Sequence, residues 1–161
     1  KLKNNSFLGL SFLVIYLGVV FLGIMIFYFI PGIALLTFVI VSCYHFGEQH
    51  WQDKIDYIKQ PSLFYTFYGA TIFLLLFFFH NSEVENVIFE ISSVRIPFRI
   101  FKILLLSVGG VLLIFMFIKI KDFKFFLIEA ILLVILAILF WKGSLLFGFG
   151  LSFVFWHSIP T

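Results

Sequence analysis

The sequence predicts an all-α fold, a polytopic bundle of transmembrane helices, and three observations support this. Hydrophobic residues make up 63% of the 161 residues and charged residues only 12%, against about 45–50% and about 25% in soluble globular proteins. The 11 basic and 8 acidic residues are too few to cover the surface of a soluble domain. Apolar stretches of about 20 residues, enough for a helix to cross the hydrocarbon, recur along the chain.

Six segments have the length and composition of membrane spans. They are Phe7–Ile30, Gly32–Trp51, Ser62–Phe79, Ile100–Ile118, Phe123–Trp141 and Ser144–Thr161. Proline is excluded from a helix interior and pushes the preceding residue out of helical geometry, so Pro31 predicts a tight reversal after the first span. We expect a single integral-membrane domain, residues 1–161. Because the sequence lacks an initiator Met, we expect it to be a fragment of a longer chain.

The segment between the third and fourth spans is predicted to form a short helix in the membrane interface. Its apolar residues recur at helical spacing, at Val84, Val87, Ile88 and Ile91. Ser82 and Glu85 form a capping-box pattern at its start. An irregular loop is the alternative.

If the spans alternate in direction, basic residues fall unevenly on the two sides of the membrane. Seven share the side of the N-terminus: Lys1, Lys3, Lys54, Lys59, Lys119, Lys121 and Lys124. Four lie on the other side: Arg95, Arg99, Lys102 and Lys142. Since cytoplasmic loops carry the excess of Lys and Arg, the N-terminal side is expected to be cytoplasmic.

The net charge of +3 is too small to predict nucleic-acid binding. The three tryptophans, Trp51, Trp141 and Trp156, fall near span ends, as in an aromatic belt.

Two histidines from distant parts of the sequence are predicted to lie at one end of the bundle. His45 lies about 9 Å inside the end of the second span by helical rise, and His157 lies in the last turns of the sixth. Ionisable residues in the hydrocarbon are costly and mark functional sites, and neutral imidazole is the commonest metal ligand. One interpretation is a metal site, and the other is a pair of interfacial histidines bound to backbone or headgroups.

Three further polar residues, His50, His80 and Glu129, are judged as site candidates by their predicted depth in the membrane and their angle around the helix. His50 lies about 140° around the helix from His45, so both can face one ion only if the helix is distorted, for example at Gly47. His80 is predicted at the opposite end, as a residue of a helix terminus. Glu129, about 9 Å inside the fifth span, is expected near the depth of His45.

The two acidic candidates have different expected settings. Glu129 would bind the metal, orient a metal-bound histidine, or be a protonated residue hydrogen-bonded between helices. Glu48, three residues after His45, lies near the interface and is either solvated or a partner of that histidine.

Two motifs carry a resemblance to a known family. They are Tyr44-His45-Phe46-Gly47-Glu48-Gln49-His50-Trp51 and Phe153-Val154-Phe155-Trp156-His157-Ser158. In this order they resemble the HFG and HS motifs of the Brp/Blh-type β-carotene 15,15′-dioxygenases of prokaryotes.

The resemblance implies an integral membrane enzyme that uses Fe(II) and O2 to split β-carotene at its central double bond into two retinals. The membrane would be the prokaryotic inner membrane, and the retinal would serve rhodopsin-type proteins. His45 and His157 match metal ligands, with His50 as a further candidate. Glu129 and Glu48 would support the ligands, and Phe46 and Trp156 would line the substrate.

The sequence departs from the family pattern at three points. His50 occupies the acidic position that follows HFG, and Thr161 stands where some members have a second histidine. A PHG-type motif that carries another ligand is absent and would precede Lys1.

The competing functions are a haem-binding protein, a transporter, or a lipid desaturase or hydroxylase, although the histidine boxes of the last class do not occur here.

Overall fold

The computed structural model describes residues 2–55, 61–120 and 122–158, and the side chains of residues 12–55, 61–120 and 122–154. The described chain is all helical, which confirms the predicted fold class. Its elements are α1 (Leu2–Phe29), α2 (Pro31–Trp51), α3 (Pro61–Phe79), α4 (Asn81–Ser92), α5 (Phe98–Lys119), α6 (Phe123–Lys142) and α7 (Leu145–Ser158).

Five of these helices, α1, α2, α3, α5 and α6, are long and apolar enough to cross a membrane. The chain is therefore an integral membrane protein, as its composition indicated. The sixth predicted span corresponds to α7, a helix of 14 residues. Residues 159–161, at the end of that predicted span, lie outside the described residues.

Short breaks separate the helices where the sequence predicts them. Only Ile30 separates α1 from α2, and Pro31 is the first residue of α2. Proline is tolerated there because an N–H at the first helical position would have no partner within the helix. The predicted helix before the fourth span is present as α4, but the predicted capping box is wrong. His80 is the N-cap, because its N–H still bonds Leu76 O at the end of α3 and the new helix begins directly after it. Ser82 therefore lies within the first turn.

Helix α3 is the centre of the bundle and packs against α2, α4, α5, α6 and α7. One core runs along most of α3 and includes Trp51, Phe64 and Tyr68. The prediction that Trp51 belongs to an interfacial belt is wrong, because its indole is 0% exposed and packs edge-on against Phe64. Trp141 is exposed beside the Lys142 ammonium, as a belt residue would be.

Glycines allow α2 and α3 to approach at backbone distance. A Cβ built on Gly47 would lie 2.7 Å from Tyr65 Cα, and one on Gly69 would lie 2.9 Å from Cys43 Cα. These two antiparallel contacts are one turn apart. Gly47 therefore does not distort α2, which is continuous from Pro31 to Trp51. Its lack of a side chain instead brings the HFG segment against α3.

The contacts along α6 and α7 define the direction of each helix. Near its start, α6 contacts His50 of α2 through Glu129, and near its end Phe140 O accepts a hydrogen bond from His80. Helix α7 then returns, since its Phe149 ring contacts Phe73 and its Phe153 ring contacts Phe46. Helices α2 and α7 therefore run in the same direction and end at the same end of the bundle, as predicted.

Candidate metal and substrate site

His45 lies on the outer face of α2, and its side chain is 55% exposed. Its closest charged neighbour is Glu48, one turn later, with 4.0 Å between Nδ1 and Oε2. This separation is too long for a hydrogen bond. Tyr44 OH donates a 2.6 Å hydrogen bond to the other carboxylate oxygen, Oε1. Glu48 is therefore held beside His45 by a tyrosine that the sequence did not single out.

Glu129 contacts His50 and not His45. Its Oε2 lies 2.8 Å from His50 Nε2, and its Oε1 lies 3.3 Å from Lys54 Nζ. The carboxyl group is only 1% exposed, while the side chains of His50 and Lys54 are 15% and 22% exposed. Removing an unpaired carboxylate from water is very costly, so this burial requires the partners that it has here. We call His50, Lys54 and Glu129 the polar cluster.

Aromatic side chains fix the histidine of the polar cluster from two directions. The Tyr68 ring of α3 stacks on the His50 ring, with centroids 5.0 Å apart and planes inclined by 2°. Trp51 meets the same imidazole edge-on at 5.4 Å. The imidazole is thus packed by α2 and α3 and hydrogen-bonded to α6.

Sequence reasoning treated Lys54 only as a topology signal and did not single out Tyr68. Lys54 follows His50 by four residues, the spacing of neighbours on one helix face, and it lies in the turn directly after α2. The spacing was the available signal for the lysine. The stacking of Tyr68 depends on the register of α3 against α2, which the sequence does not display.

Phe46, the middle residue of HFG, is buried against two other helices. Its ring lies 5.5 Å from that of Phe73 on α3 and 6.4 Å from that of Phe153 on α7, measured between centroids. Trp156 and His157 belong to the last turn of α7, but their side chains lie outside the described residues. The contact with Phe153 nevertheless brings the helix that carries the HS motif against the helix that carries HFG.

His80 lies at the opposite end of the bundle, as predicted. Its buried ring bonds Phe140 O at 2.9 Å, and its Nδ1 lies 3.7 Å from the exposed Glu83 carboxylate. The carbonyl groups in the last turn of a helix have no N–H donor within that helix. His80 supplies a donor to one of these carbonyl groups, Phe140 O, at the end of α6. This is a structural role, far from the polar cluster.

The donor chemistry of this end of the bundle fits iron, because imidazole and carboxylate are the ligands of many non-haem Fe(II) centres. Among the side chains that the structure describes, no group of three His, Cys, Asp or Glu residues could hold a metal ion. The pair formed by His50 and Glu129 is the closest approach of two such donors on different spans at this end.

A family model described as β-carotene 15,15′-dioxygenase matches residues 3–161, nearly the whole chain. This chain belongs to that family. No curated protein and no solved structure matches it. Family membership makes the protein an enzyme, a carotenoid-cleaving dioxygenase, and the five long apolar helices make it one that resides in the membrane.

Proposed function

We propose that this protein cleaves β-carotene at the central 15,15′ double bond with O2 and releases two molecules of retinal. In this reaction one C=C bond breaks, and each of its two carbons receives one oxygen atom as an aldehyde. The observation that carries the proposal is the family match over residues 3–161. The common end of α2 and α7, the helices of the HFG and HS motifs, supports it independently.

The metal is Fe(II), with His45 and His157 as ligands and His50 as a further candidate. When bound, iron supplies the activation of O2. Glu48, which Tyr44 holds with 4.0 Å between its Oε2 and His45 Nδ1, is the carboxylate placed to orient that imidazole when the metal binds.

The substrate site lies against the lipid. β-Carotene is a hydrocarbon that dissolves in the bilayer, so it reaches a site between membrane helices without crossing water. Phe46 and Trp156, next to the two motif histidines, line this site, and apolar walls exclude water from the reacting carbons. The exposure of the imidazole of His45 on the outer face of α2 suits lateral entry. The membrane is the prokaryotic inner membrane, with the N-terminal side of the chain in the cytoplasm.

The test is expression of the full-length gene in a bacterial host that accumulates β-carotene. Bleaching of the cells and retinal in their extracts, measured by chromatography, are the expected results. His45→Ala and His157→Ala are each expected to abolish both signals at unchanged protein level. Well-expressed wild-type protein that produces no retinal would disprove the proposed function.

A further inference from the structure

The polar cluster is the feature of the bundle that packing alone does not explain. Leu, Phe or Met at its positions would fill the space between α2 and α6 without the cost of removing charges from water. The chain instead places a carboxylate, an ammonium group and an imidazole together within a membrane-spanning bundle. Ionisable groups at such positions mark function.

The contacts of His50 Nε2 assign the position of the imidazole proton once Glu129 is taken as ionised. An ionised carboxylate only accepts hydrogen bonds, so the 2.8 Å contact with Glu129 Oε2 requires an N–H at His50 Nε2. Lys54 Nζ lies 3.4 Å from the same nitrogen, but an ammonium group cannot accept that proton, and its contact with Glu129 Oε1 is shorter at 3.3 Å. The positive charge of Lys54 balances that of the carboxylate. In the neutral form of this tautomer, the basic electron pair is on Nδ1.

Helical register places this imidazole at the level of the HS motif. Phe46 of α2 contacts Phe153 of α7, and the two helices run in the same direction. His50 follows Phe46 by four residues and His157 follows Phe153 by four, so each lies about one turn beyond the contact. Positions 50 and 157 therefore share one level at one end of the bundle.

We propose that Lys54 and Glu129 are positioning residues of the cleavage site, which hold the His50 ring in one orientation and one tautomer. Glu129 accepts the Nε2 proton, Lys54 keeps the carboxylate charge balanced, and Tyr68 fixes the plane of the ring. This inference rests on the proposed function. It adds that Lys54, just beyond the segment that carries the HFG motif, and Glu129 of α6 together control a histidine within that segment.

The test compares variants that remove the charges with one that keeps them. The double variant Lys54→Met with Glu129→Leu is electrically neutral and apolar, so it suits the interior. Lys54→Arg preserves the positive charge. The matched control is Glu85→Gln with Arg95→Met, which removes another ion pair, with 3.8 Å between its charged atoms, on the α4 side of the bundle.

Three quantities are measured on protein purified in detergent. They are the ¹⁵N shifts of His50, assigned by comparison with His50→Gln, the kcat and KM for retinal formation, and the binding of ferrous ammonium sulfate. We expect wild-type His50 to carry its proton on Nε2. Loss of a carboxylate partner from a ligand-type histidine lowers metal affinity or activity by roughly 10- to 100-fold. The double variant should show that loss in kcat or in iron affinity with KM unchanged, whereas Lys54→Arg and the control should match wild type.

Two results would overturn the inference. One is a folded double variant with the kcat and iron affinity of wild type, because the polar cluster would then only join helices. The other is a wild-type spectrum with the His50 proton on Nδ1, a result that does not require any variant to fold. Failure of the proposed function is distinct from both, since wild-type protein would then form no retinal although the His50 tautomer could still be measured.

Discussion

Gly47→Ala tests whether the glycine of the HFG motif is required for helix packing. The new Cβ would lie 2.7 Å from Tyr65 Cα, which is 0.7 Å short of the 3.4 Å where ordinary contact begins. The Tyr65 carbonyl group is closer still, and backbone cannot rotate away as a side chain can. Helices α2 and α3 must therefore separate by at least this distance.

The separation would loosen every pair packed across that interface, including Phe46 with Phe73 and Trp51 with Phe64. Overpacking of this kind costs about 1–3 kcal/mol. Alanine returns at most about 1 kcal/mol through its better helix propensity. We expect a net loss of stability, together with a loss of retinal formation because His45 and His50 move with α2.

The assay is unfolding in detergent micelles, with Gly110→Ala as the matched control. A Cβ on Gly110 meets nothing within 4 Å, so that variant of α5 gains helix propensity without a clash. The midpoint of Gly47→Ala should lie below wild type, and that of Gly110→Ala at or above it. Equal midpoints for the two variants would refute the explanation of the motif glycine.

Two further outcomes follow from the site. His80→Ala leaves Phe140 O without its donor and should cost about 1–3 kcal/mol of stability, while retinal formed per folded molecule stays unchanged. A loss of turnover as complete as that of His45→Ala would contradict the assignment of His80 to a helix terminus. Treatment with a ferrous-iron chelator should abolish retinal formation, and Fe(II) but not Zn(II) should restore it. Full turnover by protein shown to be free of iron would exclude iron as the metal.

The helices and their directions could be predicted from the sequence because the bilayer imposes them. A span needs about 20 apolar residues, and each crossing reverses the direction of the chain. These constraints led to α1, α2, α3, α5 and α6 and to the common end of α2 and α7, whereas α4 was predicted from the helical spacing of its apolar residues. The motifs in α2 and α7 then led to the family, which the match over residues 3–161 confirms.

The partners of the polar side chains could not be predicted in the same way. Depth in the membrane specifies a position along a helix axis. It does not specify how the helix is rotated about that axis or which helices lie beside it. Glu129 was therefore expected near the depth of His45, whereas the structure pairs it with His50, which faces α3 and α6. Trp51 was assigned to the lipid interface for the same reason, although it is turned into the core.

The sequence by itself determined that the protein resides in the membrane, where its five long helices lie, which end carries both motifs, and which family it resembles; it predicted a sixth full span where the described chain has the 14-residue α7. All of these depend on composition, segment length and short motifs. Only the tertiary structure decided that Gly47 meets the backbone of α3, and that Lys54, Glu129 and Tyr68 surround His50. The physical reason is that these contacts depend on how each helix is rotated about its axis and how closely it approaches its neighbours. Both are fixed by packing between residues that are far apart in the sequence.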